Sequence, residues 1–556
     1  MSGERLIYLP LGGAGEVGMN AYVYGYGPKG RERLILVDLG VTFPDMDGSP
    51  GVDLILPDIA WLAERRDRLD AIFITHAHED HVGALGHLWA RLGAPIYTRN
   101  FTARIAARKM LEAGQPVDAI ETVGAAPDSV EAGPFAVQFL PVSHSLPEAS
   151  ALVIDSPAGR VLHTGDFKLD LAPGVGEPFD EALYERLGRE GVKVMVCDST
   201  NIFSPHPGRS ESSLPSAMRS LIAQAPGMVV ATTFASNVAR LRTLAQAGRE
   251  AGRSVCLLGR AMQTMVRTAT EADLLHDFPA TVSPEEAGDI PRENLMLIVT
   301  GSQGERRAAS AQLARGNYMG LSLKEGDLFL FSSMTIPGNE RGVLRIVNQL
   351  AERGVDVVDN TTGAYHVSGH ANRPDLERMH ELLRPQMVVP MHGEHRHLRE
   401  HAKMVAARGM ATAIAPNGTM LDLSGKAPQE AEQVETGRLY LDGGAIYGAL
   451  DGVVRERIRM ALNGLVLITL VVDEEDAALG DPWADCQGLP RHGRSRRPLD
   501  ETIEAELAEE LARTPRKTLA DDDRLTDLLK RRVRQCCLNE IGKKPEVVVV
   551  ISRLAD

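Results

Sequence analysis

Short apolar runs separated by turn residues dominate the first two hundred positions: Leu34–Val37, Ala71–Ile74, Ala136–Leu140, Ala151–Ile154 and Val194–Val196. Runs of this length between breakers read as buried strands. The pattern then changes. Leu214–Ala223 and Val238–Glu250 carry helical spacing and flank the strand-like Gly227–Thr233. Apolar runs at Ser254–Leu258, Leu295–Val299, Leu328–Phe331 and Val355–Val358 continue an α/β alternation. Residues from about 424 to 446 are polar and Gly-rich and read as a linker. Beyond them, strand-like Leu465–Val472 and Val547–Ile551 flank the helical Glu501–Arg513, which predicts a small α/β module. Within it DPWADCQGLPRHGRSRRP reads as an exposed loop, and KRRVRQ (530–535) as a solvated helix face.

Gly13-Ala14-Gly15-Glu16-Val17-Gly18 matches GxGxxG, and Asp38 follows twenty residues after the last glycine, as in a dinucleotide fingerprint. That motif needs a helix next. MNAYVYGYG is β-like instead, so a tight turn in a β-hairpin is expected.

At 556 residues the chain exceeds one core and should hold about three or four domains. The start, MSGERLIYLP, has no signal-peptide character, and the longest apolar runs fall far short of the roughly 20 residues that span a bilayer. A cytoplasmic protein without membrane association is expected. Five cysteines without CxxC spacing suggest neither a disulfide frame nor a thiolate metal site, and Cys536 and Cys537 read as reduced packing residues. A net charge of −15 argues against a generally basic nucleic-acid binder. It leaves room for a local cationic channel or for bound metal to hold a polyanion.

The strongest chemical signal is Thr75-His76-Ala77-His78-Glu79-Asp80-His81, directly after a strand. Imidazole and carboxylate suit zinc, and core packing has no use for four such groups so close together. Two metals need further ligands. His144, Asp166 and His392 each follow an apolar run and so sit at expected strand ends, where loops of a sheet converge. Asp38 reaches the same rim and could orient a ligand imidazole, whereas His163 is as readily a packing residue. His87, His276 and His401 read most simply as surface or core residues.

HxHxDH with a later His, a later Asp and a distal His resembles the metallo-β-lactamase superfamily. GGAGEVGMN (12–20), HTGDFKLD (163–170), TGSQGE (300–305), HVSGHA (366–371) and PMHGEHRHL (390–398) narrow the resemblance to the ribonuclease J branch of the β-CASP nucleases, over about residues 5–425. It implies an α/β fold: a metallo-β-lactamase αββα sandwich (1–204, returning at 351–425) with an inserted β-CASP α/β domain (205–350). A linker (426–447) and a small C-terminal α/β domain (448–556) would follow. It implies two Zn²⁺ per subunit, with manganese or magnesium able to serve turnover. His76, His78 and His144 would hold one ion and Asp80, His81 and His392 the other, with Asp166 bridging. The β-CASP motifs would be Glu211 in GRSESS, His370 in SGHA, and His392. Asp80 would orient the attacking water, and His370 would protonate the departing 3′-oxygen with its imidazole held by Glu211. His366, Val367, Ser368, Gly369 and His370 would meet a backbone phosphate, with Ser332, Ser333 and Arg260 lining the same channel.

The resemblance further implies 5′-to-3′ exonucleolytic and endonucleolytic cleavage of single-stranded, 5′-monophosphorylated RNA in mRNA decay and rRNA maturation, by cytoplasmic homodimers or homotetramers. A hydrolase of small esters or thioesters on the same fold is the competing reading. It has no need of the large insertion or of SGHA. A non-catalytic RNA-binding subunit is disfavoured because the whole ligand set is present.

Overall fold

The structure, a computed structural model, describes residues 3–336 and 338–554. The chain forms two compact units, Met1–Thr42 with Leu56–Arg438, and Phe43–Ile55 with Leu439–Asp556.

Two sheets face each other in the larger unit. The eight-stranded sheet has Leu69–Phe73, Arg33–Val37, Ala21–Pro28 and Glu4–Gly12 at its centre. The seven-stranded sheet places Gly159–His163, Val194–Asp198 and Met387–Met391 side by side in parallel. Period-two alternation turns Tyr8, Tyr22, Tyr24, Val37 and Phe73 of the first sheet towards Phe139, Leu152, Val161, Val196 and Met391 of the second, closing one apolar layer. Helices Glu181–Glu190, Arg373–Leu383 and His395–Ala407 cover the outer face of the second sheet around Phe167, Met195, Leu376 and Val388. This is the αββα sandwich that the resemblance implies.

Between Val194–Asp198 and its partner Met387–Met391 the chain builds a third sheet of six parallel strands, with Val229–Thr232 and Leu295–Val299 central. Both are buried along their whole length, as parallel strands flanked by helices must be. Asp356–Val358 pairs with Leu328–Phe331, so this sheet runs past the expected boundary at residue 350.

The glycine-rich segment after Glu4–Gly12 turns through Gly13, Gly15 and Gly18, all at positive φ, into the antiparallel strand Ala21–Pro28. No helix follows, which removes the dinucleotide motif.

The expected linker is ordered structure instead. Gln429–Gln433 pairs antiparallel with Thr419–Asp422 at the edge of the eight-stranded sheet, and Leu439–Asp442 forms a hairpin with Ala445–Gly448. Polar composition here marks an exposed sheet edge rather than a structureless tether.

In the smaller unit Leu465–Val472 pairs in parallel with Glu546–Arg553 and antiparallel with Trp483–Gln487, so part of the expected exposed loop is a strand. Helices Leu499–Arg513 and Asp522–Ile541 bury Leu499, Ile503, Leu507, Leu511 and Leu525, Leu529, Val533 at four-residue spacing. Cys536 and Cys537 are free thiols packed in the same core.

Candidate metal centre

The face-to-face packing of the two sheets brings five strand ends to one rim. Strand Leu69–Phe73 ends and the chain turns through His76 and His78 into a short helix, Glu79–Val82, which carries Asp80 and His81. His144, Asp166, Asp198 and His392 arrive from strand ends of the second sheet.

One group is His76, His78, His144 and Asp166, and a second is Asp80, His81, Asp166 and His392. Asp166 belongs to both, and each group offers one ligand atom per residue within 4.8 Å of the others. His78 Nδ1 lies 3.0 Å from His76 Nε2 and 3.1 Å from His144 Nε2. His81 Nε2 lies 3.3 Å from Asp166 Oδ2, and His392 Nε2 lies 3.2 Å from Asp80 Oδ2.

The outer partners fix how these rings point. His144 Nδ1 donates to Gly369 O at 2.6 Å, because a carbonyl can only accept, so its Nε2 presents a lone pair to the cluster. His81 Nδ1 meets Asp38 Oδ2 at 2.7 Å, and Asp38 is itself held by the Thr75 N–H at 2.8 Å. Asp38 thus orients a ligand-side imidazole. His392 and Asp38 both take left-handed backbone, φ 50° and 62°, which aims their side chains into the rim.

Electrostatics divides the centre. Burial and the neighbouring imidazoles hold His76 and His144 well below the ordinary histidine range, and burial brings His78 down to about 4. Against burial, Asp166, Asp80 and Asp38 raise His81 well above that range, and Asp166, Asp198 and Asp80 push His392 up to about 10. Neutral lone pairs converge on one side, and carboxylates demand positive charge on the other. Asp166 Oδ1 is buried without a hydrogen-bond partner among the described residues. Lone pairs aimed at one another, and an orphaned carboxylate oxygen between them, are satisfied by divalent cations. The donor set therefore fits the metals that the sequence implies.

His370 stands beside this centre, its ring 5.2 Å from that of His144 and 5.6 Å from that of His392. Its imidazole is held by Asp198, with Nδ1 2.8 Å from Oδ2. Glu211, expected in that role, has no hydrogen bond to His370 among the described residues. Its N–H donates to Asp170 at 2.9 Å, and its carboxylate is turned onto the fully buried Arg240 guanidinium, at 2.5 and 2.9 Å. Sequence reasoning missed Asp198. The signal was present, because Asp198 closes an apolar strand just as Asp38 does. Asn20, another omission, ends the GGAGEVGMN motif and bonds the Asp80 carbonyl at 2.9 Å.

The remaining expected contacts separate. Gly369 packs against His144, and Ser368 Oγ accepts from Asn201 at 2.8 Å and from the His370 N–H at 3.1 Å. Val367 is core. His366 Nδ1 faces Arg240 at 3.2 Å. Ser332 is fully buried, donating to Tyr365 O at 2.7 Å and accepting from Arg240, so it is spent on structure rather than open to a ligand. Arg260 is exposed at the start of helix Arg260–Glu271, and Ser333 is buried. His163 packs in the core against Tyr24, whose hydroxyl lies 2.9 Å from Nδ1. His401 is buried, His276 exposed and His87 half-buried.

A rim of histidines and aspartates at the strand ends of an αββα sandwich defines a metal-dependent hydrolase of the metallo-β-lactamase class. Residues 14–222 match the metallo-beta-lactamase superfamily, and residues 361–416 match the Zn-dependent metallo-hydrolase RNA specificity domain. Residues 226–350 match the ribonuclease J beta-CASP domain, and 452–554 the ribonuclease J C-terminal domain. The chain is 40% identical over 553 residues to ribonuclease J of Sinorhizobium meliloti, covering 99% of this chain and 98% of that one. It is 34% identical to ribonuclease J of Thermus thermophilus, over 85% of this chain and 83% of that one. A protein of unknown function from Enterococcus faecalis shares the fold at 17% identity and a TM-score of 0.51, covering 75% of this chain and all of that one. The chain belongs to the ribonuclease J family and is a metal-dependent ribonuclease. Among the described residues no helix is long and apolar enough to cross a membrane.

Proposed function

We propose that the chain hydrolyses single-stranded RNA with two zinc ions, held by His76, His78 and His144 on one side and by Asp80, His81 and His392 on the other, with Asp166 between them. The sharing of Asp166 by the group with His76, His78 and His144 and the group with Asp80, His81 and His392 carries this reading; a third group, Asp166, Asp198, His370 and His392, adjoins them. Bound cations acidify water and neutralise charge that develops on phosphate oxygens. The chain's own groups do the rest. Asp80, braced by Asn20 and His392, orients the attacking water. His370 gives its proton to the departing 3′-oxygen, which leaves a 5′-phosphate and a 3′-hydroxyl. Against burial, Asp198 and Asp166 raise His370 above the ordinary imidazole range, which keeps that proton in place.

The loop at 366–370 supports recognition of a 5′-monophosphate, because its backbone and the His370 imidazole border the metal groups. Arg260, exposed at the start of its helix, would follow the RNA backbone. The reading includes both 5′-to-3′ exonucleolytic and endonucleolytic cleavage, turnover with manganese or magnesium, homodimers or homotetramers, and a cytoplasmic role in mRNA decay and rRNA maturation. The domain division is the sandwich at 1–204 and from 359 to 425, the insertion from 205 through strand Asp356–Val358, and the C-terminal domain from 448.

Digestion of 5′-labelled RNA tests the reading. Monophosphate RNA should release labelled mononucleotide faster than triphosphate RNA, and a chelator should stop both release and internal cuts. Equal rates for the two ends would defeat 5′ recognition, and full activity with the chelator would defeat the metal mechanism.

A further inference from the structure

The smaller unit holds a turn with four arginines that the catalytic centre does not use: Arg491, Arg494, Arg496 and Arg497, all exposed. The turn is pinned. Arg494 N donates to Glu540 O at 3.0 Å, Ser495 N to Glu540 Oε2 at 2.9 Å, and Leu499 N to Arg491 O at 2.9 Å, while His492 bridges to Pro498. Arg496 sits in the left-handed region at φ 61°.

Six other arginines of this unit pair with carboxylates, among them Arg457 with Asp442, Arg513 with Glu509, Arg532 with Glu506 and Arg553 with Asp522, while Arg455, Arg459, Arg516 and Arg531, unpaired among the described residues, lie scattered over three helices rather than gathered in one turn. Among the described residues none of the four turn guanidinia makes an ion pair or side-chain hydrogen bond. Four arginines within seven residues, without ion pairs and with Glu540 as the one carboxylate bonded to the turn among the described residues, stand out on a chain of net charge −15. Such a set offers planar forks to successive phosphates. The enzyme's substrate is the polyanion that suits it.

We propose that the Arg491–Arg497 turn is a second RNA-holding site, gripping the phosphodiester backbone of substrate that has not entered the metal centre. Tethering there raises the local concentration of the remainder of the strand. Its occupant is chosen by charge and spacing, not by base identity.

The test uses the full chain carrying Arg491→Gln, Arg494→Gln and Arg497→Gln with Arg496→Asn, since asparagine tolerates positive φ. RNA of 40 nucleotides and of five nucleotides, both 5′-monophosphorylated, are compared. Each lost phosphate contact lowers the slope of log affinity against log salt by about 0.7, so four contacts remove about 2.8, an affinity loss of about 600-fold at most in 0.1 M salt. KM for the long RNA should rise at least tenfold with kcat unchanged, and both constants for the pentamer should stay fixed. The corresponding Arg→Lys set keeps the charge and should restore the salt slope, with only part of the affinity because the planar forks are lost, which separates charge from misfolding. An unchanged KM and salt slope on long RNA would overturn the proposal and leave the turn to an acidic protein partner. Cleavage of the pentamer reports the metal centre independently.

Discussion

Gly40 lies where the first sheet touches the ligand loop, and replacing it with alanine is the sharpest probe of how the centre is positioned. Leu39 N donates to His81 O at 2.8 Å and Val41 N to Glu79 O at 3.0 Å, so the segment after Asp38 runs against the loop like a paired strand. A Cβ on Gly40 would stand 1.7 Å from Asp80 O and 2.5 Å from His81 N. The backbone of Gly40 is not left-handed, so the obstacle is close approach alone. To restore even 3.0 Å, the Asp80 carbonyl must retreat by about 1.3 Å, the difference between 3.0 and 1.7. That carbonyl also receives the Asn20 N–H and side chain, both at 2.9 Å, so the shift would cost those bonds as well. Misplacement on the order of 1 Å costs about 100-fold in rate, or about 2.7 kcal/mol of barrier. Overpacking adds about 1–3 kcal/mol of lost stability. The assay is kcat on 5′-monophosphate RNA beside bound metal per chain and a thermal melt, with Gly444→Ala as control because nothing lies within 4 Å of its Cβ. Gly40→Ala with wild-type kcat and a full metal complement would refute the claim that this contact sets the loop.

Three further changes address other parts of the centre. Asp80→Ala with His81→Ala should abolish cleavage and halve bound metal while the chain stays folded, as read by metal analysis and circular dichroism; full activity would remove these residues from the chemistry. Asp198→Asn keeps an acceptor for His370 but loses the charge, so kcat should fall about 10- to 100-fold with metal content kept; an unchanged kcat would leave Asp198 a purely structural group. Gly369→Ala would put a Cβ 2.9 Å from His144 Cε1 and 3.0 Å from Nδ1. It should break the Gly369 O contact to His144 and lower metal affinity, measured by chelator competition, and wild-type affinity would rule out that coupling.

Much of the sandwich and of the candidate metal cluster was legible because each element repeats one local rule. Apolar strands end in a chemistry-bearing residue: Ile74 before His76, Val142 before His144, His163 before Asp166, Met391 before His392. The ordered edge at Gln429–Gln433 was not legible, since an exposed strand on a sheet rim has polar residues on both faces and resembles a tether. Trp483–Gln487 was hidden for a related reason, with only Ala484 fully buried. Glu211 was misplaced because a lone acid near the right stretch carries no record of its partner, and the cation that claims it, Arg240, lies on a helix 29 residues on. The Asp198 strand was recognised and its last residue passed over.

The Glu211–Arg240 pair acquires a different meaning from this correction. Arg240 bonds Ser332 O and Oγ at 2.9 Å, at the end of a strand of the inserted sheet, and reaches His366 at 3.2 Å, four residues before His370. One buried guanidinium therefore joins the segment at 211, the inserted sheet and the loop that presents His370, which makes it a positioning residue. A buried ion pair adds little net stability, yet loss of one partner strands the other and costs about 3–5 kcal/mol. Arg240→Met alone should lower the melting temperature and reduce kcat with metal content unchanged, because the ligand loop at 76–81 does not touch it. Arg240→Met with Glu211→Leu removes both charges and should recover much of the stability without recovering kcat, since the 366–370 loop is still untied. Recovery of kcat along with stability would show that the pair only holds the fold together, and that His370 is placed by Asp198 and Asn201 alone.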